Sequence, residues 1–136
     1  MVPRSDLSGG APFASSRSCI LFVEDELLIR VIVAEELRDA GFDVIEAVNA
    51  DEALEILKSL ARIDLIISDV RMPGSLDGMG LLAIVRKTSP ALPVIITSGH
   101  LDPTLALADG ATQFMAKPYS MELIVAAVHE ALAKVA

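Results

Sequence analysis

Asp64-Leu65-Ile66-Ile67-Ser68-Asp69-Val70-Arg71-Met72-Pro73 is the stretch whose reading decides the fold of this chain. An apolar run with no alternation of polar residues suits a strand buried on both faces, as in a parallel sheet. The run ends in a carboxylate and then a proline, so Asp69 stands where the strand leaves the core. The carboxyl ends of the strands are where open α/β sheets bind ligands, because the connecting loops diverge there and leave a crevice. A lone aspartate at such a place more often caps the following turn. Its meaning therefore depends on what the rest of the chain delivers to the same pole.

Four further runs resemble the first in length: Ile20–Val23, Val44–Ala47, Val94–Thr97 and Gln113–Ala116, with Leu65–Ser68 as the third of five. Helical patterns separate them. Ile29, Val33, Leu37 and Ala40 share one face, and Gly41 predicts a left-handed cap after them. Asn49 followed by Glu52 predicts a capping box for a second helix carrying Leu54 and Leu57. A third is predicted after Asp77-Gly78, with Leu81, Leu82 and Val85, and a fifth from Ser120, with Ile124, Val128, Ala131 and Val135. Strict alternation of strands and crossover helices implies a parallel sheet, right-handed connections and helices on both faces. Residues 1–18 are rich in Ser, Gly and Pro without a period and read as a disordered arm, leaving 19–136 as the folded domain.

The chain has 136 residues, 53% hydrophobic and 22% charged, enough for one domain with one core. A net charge of −8 with only 11 Lys and Arg disfavours nucleic acid as a partner of this chain alone, since phosphate contacts need clustered cations. Cys19 is the single cysteine, which rules out an intrachain disulfide and fits a reducing cytoplasm. It reads as a small apolar residue at the start of a strand. No apolar run has the length of a membrane span, and residues 1–18 lack the apolar centre of a signal peptide. A cytoplasmic address follows as the expectation.

Polar residues follow each strand at one pole of the sheet. After the first stand Glu24-Asp25-Glu26, after the third Asp69, after the fourth Ser98-Gly99-His100 and after the fifth Lys117-Pro118. Converging carboxylates repel one another unless a cation joins them, and an oxygen-ligated site with few protein ligands is what magnesium prefers. Lys117 adds a positive point charge and Ser98 a hydroxyl, both suited to the oxygens of a phosphoryl group. Glu26 reads as an acid placed at the start of a helix dipole, and His129 as a residue on a solvated helix face.

With those motifs in order, the chain resembles the receiver domain of two-component response regulators, and among them the single-domain, chemotaxis-type proteins. The motifs are Phe22-Val23-Glu24-Asp25-Glu26, Asp69-Val70-Arg71-Met72-Pro73, Asp77-Gly78, Thr97-Ser98-Gly99 and Phe114-Met115-Ala116-Lys117-Pro118. The resemblance covers residues 19 to about 135 and implies a flavodoxin-like, doubly wound sheet of order 2-1-3-4-5. It implies that Asp69 accepts a phosphoryl group from a histidine kinase or histidine phosphotransfer protein. It assigns Mg2+ to Glu24, Asp25, Asp69 and the backbone carbonyl of Arg71, with Glu24 also able to act through water. Lys117 would pair with the phosphoryl oxygens, Ser98 would move to bond them, and Phe114 would turn inward as that hydroxyl moves. Arg71 and His100 would flank the water that hydrolyses the phosphoryl group, and neither suits orienting it, which implies slow self-dephosphorylation. So read, the protein is no enzyme beyond its own phosphorylation and dephosphorylation. It is a two-state switch that stands alone and signals to an unidentified downstream protein. A phosphorelay intermediate, a phosphate sink and a degenerate receiver used only for docking are the alternatives, and homodimerisation on phosphorylation stays open.

Two departures from the family pattern stand out. Gly74-Ser75-Leu76 make the loop beside the acceptor one residue longer, and the segment from Ser98 to Gly110 is about three residues short, with Pro103 inside it. The fourth helix is therefore expected to be short or irregular, with Thr104 to Ala108 helical at most and held by Leu105 and Leu107. Two other classes fail locally. A haloacid-dehalogenase-type phosphatase needs a second Asp where Arg71 stands, and a flavodoxin needs a Ser/Thr-Gly phosphate loop where Glu24-Asp25-Glu26 stand.

Overall fold

The computed structural model describes residues 17–59 and 61–135. Strands and helices alternate through the whole domain: β1 Cys19–Val23, α1 Leu27–Asp39, β2 Asp43–Ala47, α2 Ala50–Lys58, β3 Leu65–Asp69, α3 Gly78–Thr88, β4 Val94–Ser98, α4 Pro103–Ala108, β5 Gln113–Ala116 and α5 Met121–Ala133. The five strands form one sheet, order β2-β1-β3-β4-β5, and every neighbouring pair is parallel. Most of the disordered arm expected over 1–18 lies outside the described residues. Of its last two members, Arg17 is tied to the carbonyl of Gly41 by a 2.9 Å bond from Nε, and the Ser18 carbonyl accepts from the Asp43 N–H at 3.0 Å.

Successive side chains of a strand point to opposite faces, and the three inner strands bury both. Ile20, Phe22, Leu65, Ile67 and Ile95 pack with Val33 and Leu37 of α1 and Ile124 and Val128 of α5. Leu21, Val23, Ile66, Val94 and Ile96 pack on the other face with Ala53 of α2 and Leu81, Leu82 and Val85 of α3. A strand that is covered on both faces has no use for polar alternation, which is why the 65–69 run reads as it does.

The helix ends follow their capping residues. Gly41 has φ +103°, the left-handed conformation expected after α1. Asn49 Oδ1 accepts from the Glu52 N–H at 2.8 Å, but the Glu52 carboxylate returns to the N–H of Val48 at 2.9 Å, one residue before the cap, so the expected box closes a residue early. Ala40 is exposed past the end of α1, and Ala34 takes its place in the buried stripe. Val135 lies beyond the end of α5 and is 54% exposed, so the apolar face of that helix ends at Ala131.

The fourth helix is short, as expected, with six residues, Asp102 as its cap and Pro103 in its first turn. The residue that holds it is another matter. Leu105 and Leu107 are both exposed, and Ala106 is the one that is buried, its carbonyl also accepting from the Ala111 N–H at 3.0 Å. Cys19 opens β1 as a strand residue, and burial pushes its thiol above the ordinary range. His129 is exposed on α5, with its ring 5.1 Å from that of Phe42.

Candidate functional site

The ladder places Asp69 opposite Thr97 at the ends of β3 and β4, next to the end of β1 and its acidic loop. The carboxylate of Asp69 is nearly buried. Oδ1 accepts from the Val70 N–H at 2.9 Å, and Oδ2 accepts from Lys117 Nζ at 3.1 Å. Gly78 makes room for this arrangement, because a Cβ there would run into the carbonyl oxygen of Asp69. The Gly78 N–H donates to Val70 O at 2.9 Å and Asp77 caps α3 through the Gly80 N–H, so the Asp77-Gly78 pair packs the start of α3 against the acceptor strand.

Glu24 is 1% exposed and held at four points. Its N–H donates to Ala47 O at 3.0 Å, and its carbonyl accepts from Arg30 Nη1 at 3.0 Å. Its carboxylate accepts from the Glu26 N–H at 3.2 Å and from Lys117 Nζ at 2.9 Å. Burial pushes the Glu24 carboxyl above the ordinary glutamate range, and the Lys117 ammonium and Glu26 N–H pull against that rise. For Lys117, burial works to lower the pKa, but hydrogen bonds to Glu24 and Asp69 outweigh it and hold the ammonium above its usual range. One cation thus bridges two carboxylates that would otherwise repel each other.

Glu24, Asp25 and Asp69 each offer a carboxylate oxygen, all within 4.8 Å of one another. An all-oxygen set with one exposed member suits a hard divalent cation that keeps part of its water shell. The residues present fit such an ion. Ser98 is buried, and its Oγ accepts from the N–H groups of His100 at 3.1 Å and Leu101 at 3.0 Å, folding the loop after β4 over the hydroxyl. Arg71 and His100, like Asp69, Ser98 and Lys117, line one open cleft of about 680 Å³, whose other wall is α1. Phe114 is half-buried on β5, against the α2–α3 side of the core.

Two residues of the site escaped the sequence reading. Arg30 grips the acidic loop from α1, which only the folded distance reveals. Tyr119 lines the cleft two residues after Lys117, and its hydroxyl is buried with no hydrogen-bond partner among the described residues. Burial pushes the Tyr119 phenol up to about 12. Above the ordinary tyrosine value of 10.0 the unfolded chain has released a proton that the folded chain keeps, so stability should fall as pH climbs from there towards about 12. Because the sequence has one tyrosine and no tryptophan, tyrosinate absorbance reads this group alone. Ionisation near the ordinary value in the folded protein would contradict a buried phenol.

A sequence model of the response regulator receiver domain matches residues 20–129. The chain is 37% identical over 134 residues to the sensor kinase CckA of Brucella abortus, covering 96% of this chain and 13% of that protein. It is 38% identical over 110 residues to a putative NtrX-like response regulator of Rickettsia felis, covering 78% of this chain and 23% of that one. The chain thus spans less than a quarter of either relative. Among solved structures, a response regulator receiver domain protein from Clostridium thermocellum superposes with a TM-score of 0.80 at 31% identity, covering 86% of this chain and 95% of that one.

Proposed function

The chain belongs to the response regulator receiver domain family, whose members are phosphoacceptor switches, and from that premise we propose that Asp69 is its phosphoacceptor. The supporting observation is Lys117 Nζ bridging Glu24 and Asp69 on the floor of a cleft open to solvent. A carboxylate oxygen of Asp69 attacks the phosphorus of an N-phosphohistidine on a kinase or phosphotransfer protein. The P–N bond breaks, and its electron pair leaves on the imidazole nitrogen, which takes up a proton. Mg2+, when bound by Glu24, Asp25, Asp69 and the Arg71 carbonyl, neutralises charge on the phosphoryl oxygens. Lys117 pairs with one of those oxygens. Ser98 gives up the N–H groups of His100 and Leu101 to bond another, and Phe114 follows it inward.

On this reading the chain is a cytoplasmic switch that acts on another protein. A second reading, a phosphorelay intermediate, is favoured by the likeness to a protein named as a sensor kinase over 96% of this chain. Incubation with acetyl phosphate tests the acceptor chemistry. One phosphoryl group should be gained with magnesium and none with a chelator, whereas labelling that ignores magnesium would count against the cation's role.

The lifetime of the phosphoryl group is set by what borders the attacking water. Arg71 and His100 both face the cleft, and neither a guanidinium nor an exposed imidazole orients a water as an amide or carboxylate does. The double variant Arg71→Asn with His100→Glu is expected to lose its phosphoryl group several-fold faster, by about tenfold at most. An unchanged half-life would show that these side chains do not govern hydrolysis.

The stretch 101–109 hangs from Ser98 and carries a helix of only six residues with one buried side chain. It is expected to exchange its amide hydrogens fastest among the folded elements and to gain protection on phosphorylation. Protection equal to that of the strands, with no response to phosphorylation, would place the responsive surface elsewhere.

A further inference from the structure

Arg30 lies in the first turn of α1, six residues after Glu24, and its guanidinium makes two contacts at once. Nη1 donates to the Glu24 carbonyl at 3.0 Å, and Nε lies 3.3 Å from Glu46 Oε1, with the Arg30 side chain only 13% exposed. Glu46 sits on β2 in register with Phe22 of β1, close under the acidic loop. Its other oxygen is held by Arg38 Nη2 at 3.1 Å, and the same nitrogen donates to Val44 O at 3.0 Å. Glu46 is thus gripped by two arginines of one helix, and this fixes the fork that reaches back to Glu24.

The carbonyl of Glu24 and the nitrogen of Asp25 belong to one planar peptide unit, so holding the carbonyl sets the plane from which Asp25 departs. Asp25 is the exposed member of the carboxylate trio, and the direction of the backbone is what places its side chain. Ala47 O holds the preceding peptide through the Glu24 N–H and Arg30 holds the following one, so the backbone is fixed on both sides of the Glu24 Cα. We propose that Arg30 is a positioning residue for the divalent cation: braced by Glu46, it fixes the Glu24–Asp25 peptide so that the trio is aligned before the ion arrives. This role rests on reading the trio as a cation site. It spares the ion the cost of ordering an exposed carboxylate, the effect that outer partners have on metal ligands elsewhere.

Magnesium affinity of the unphosphorylated protein, measured by calorimetry, tests the role without any phosphoryl transfer. Arg30→Met is expected to weaken binding about tenfold. Arg86→Met serves as the control, because that guanidinium holds the carbonyls of Gly110 and Leu92 at 2.7 Å and bonds neither Glu24 nor Glu46. It should lower the melting temperature and leave magnesium affinity within a factor of about two of the unaltered chain. If Arg30→Met does not fold, Arg30→Gln replaces it, with a side chain too short to reach the carbonyl and the same loss expected. Unchanged affinity in the Arg30 variant, or an equal loss in Arg86→Met, overturns the positioning role while the cation site stands. An unaltered chain that binds no magnesium overturns both.

Discussion

Asp69→Asn is expected to gain no phosphoryl group from acetyl phosphate and magnesium under conditions in which the unaltered chain gains one. The substitution removes the nucleophile and little else. Asparagine has nearly the shape of aspartate, and its carbonyl oxygen can still accept from the Val70 N–H, the 2.9 Å bond that fixes the side chain at the end of β3. The main loss is the 3.1 Å contact with Lys117, whose ammonium keeps the carboxylate of Glu24 as a partner. Folding should therefore survive, with a change in stability of about 1 kcal/mol or less, because the lost pair is offset by relief of repulsion among neighbouring carboxylates. Intact mass shows whether the label is absent, and thermal melting shows whether the fold is kept. A variant that folds and still takes up the phosphoryl group would move the acceptor to another residue.

Lys117→Met should cost the metal-free protein about 2 kcal/mol at neutral pH. Removing one partner from a buried charge pair costs about 3–5 kcal/mol, and the figure is reduced here because the Lys117 side chain is 21% exposed. Glu24 cannot move to water, being 1% exposed, so without the ammonium it is left as a buried carboxylate facing Asp69. The deficit has a definite pH dependence. The folded pKa of Glu24 already lies above the ordinary glutamate value of 4.5, and loss of the cation raises it further. Between the unfolded and folded values the folded chain holds a proton that the unfolded chain has released. Stability therefore falls as pH rises through that window and is regained on acidification. Denaturant unfolding at several pH values, with chelator present, should show the variant and the unaltered chain converging as pH falls towards the ordinary glutamate range. A deficit independent of pH would mean that the loss is one of packing. Acetyl phosphate labelling should also be sharply reduced, since the ammonium proposed to pair with a phosphoryl oxygen is gone.

What the sequence revealed and what it hid divide along a physical line. The sheet was legible because a strand buried on both faces must be apolar throughout, and Leu65 to Ile67 could hardly be anything else. The site was legible because its residues stand where those runs stop: Asp69 and Ser98 are the last residues of β3 and β4. The helix rotations were less so. In α4 two leucines invite burial, yet a helix of six residues has too few turns for periodicity to fix its phase, and Ala106 faces the sheet instead. Contacts between distant residues leave no local signal. Nothing in the neighbourhood of Arg30 announces Glu46 or the carbonyl of Glu24, and nothing around Tyr119 announces a buried hydroxyl without a partner.

The sheet order also distributes stiffness. Asp69 ends β3, the central strand, which is laddered to β1 on one side and β4 on the other, whereas Lys117 follows β5, an outermost strand with a single neighbour. A strand bonded on one side yields more readily than one bonded on both. The site therefore joins an anvil to a spring. On the proposed reading, the group that receives the blow is seated on the central strand, bonded on both sides, while the cation that would follow the incoming charge rides on an outer strand bonded on one side. Recoil from the new charges should accordingly run outward through β4 and β5 and leave β1 and β3 in place.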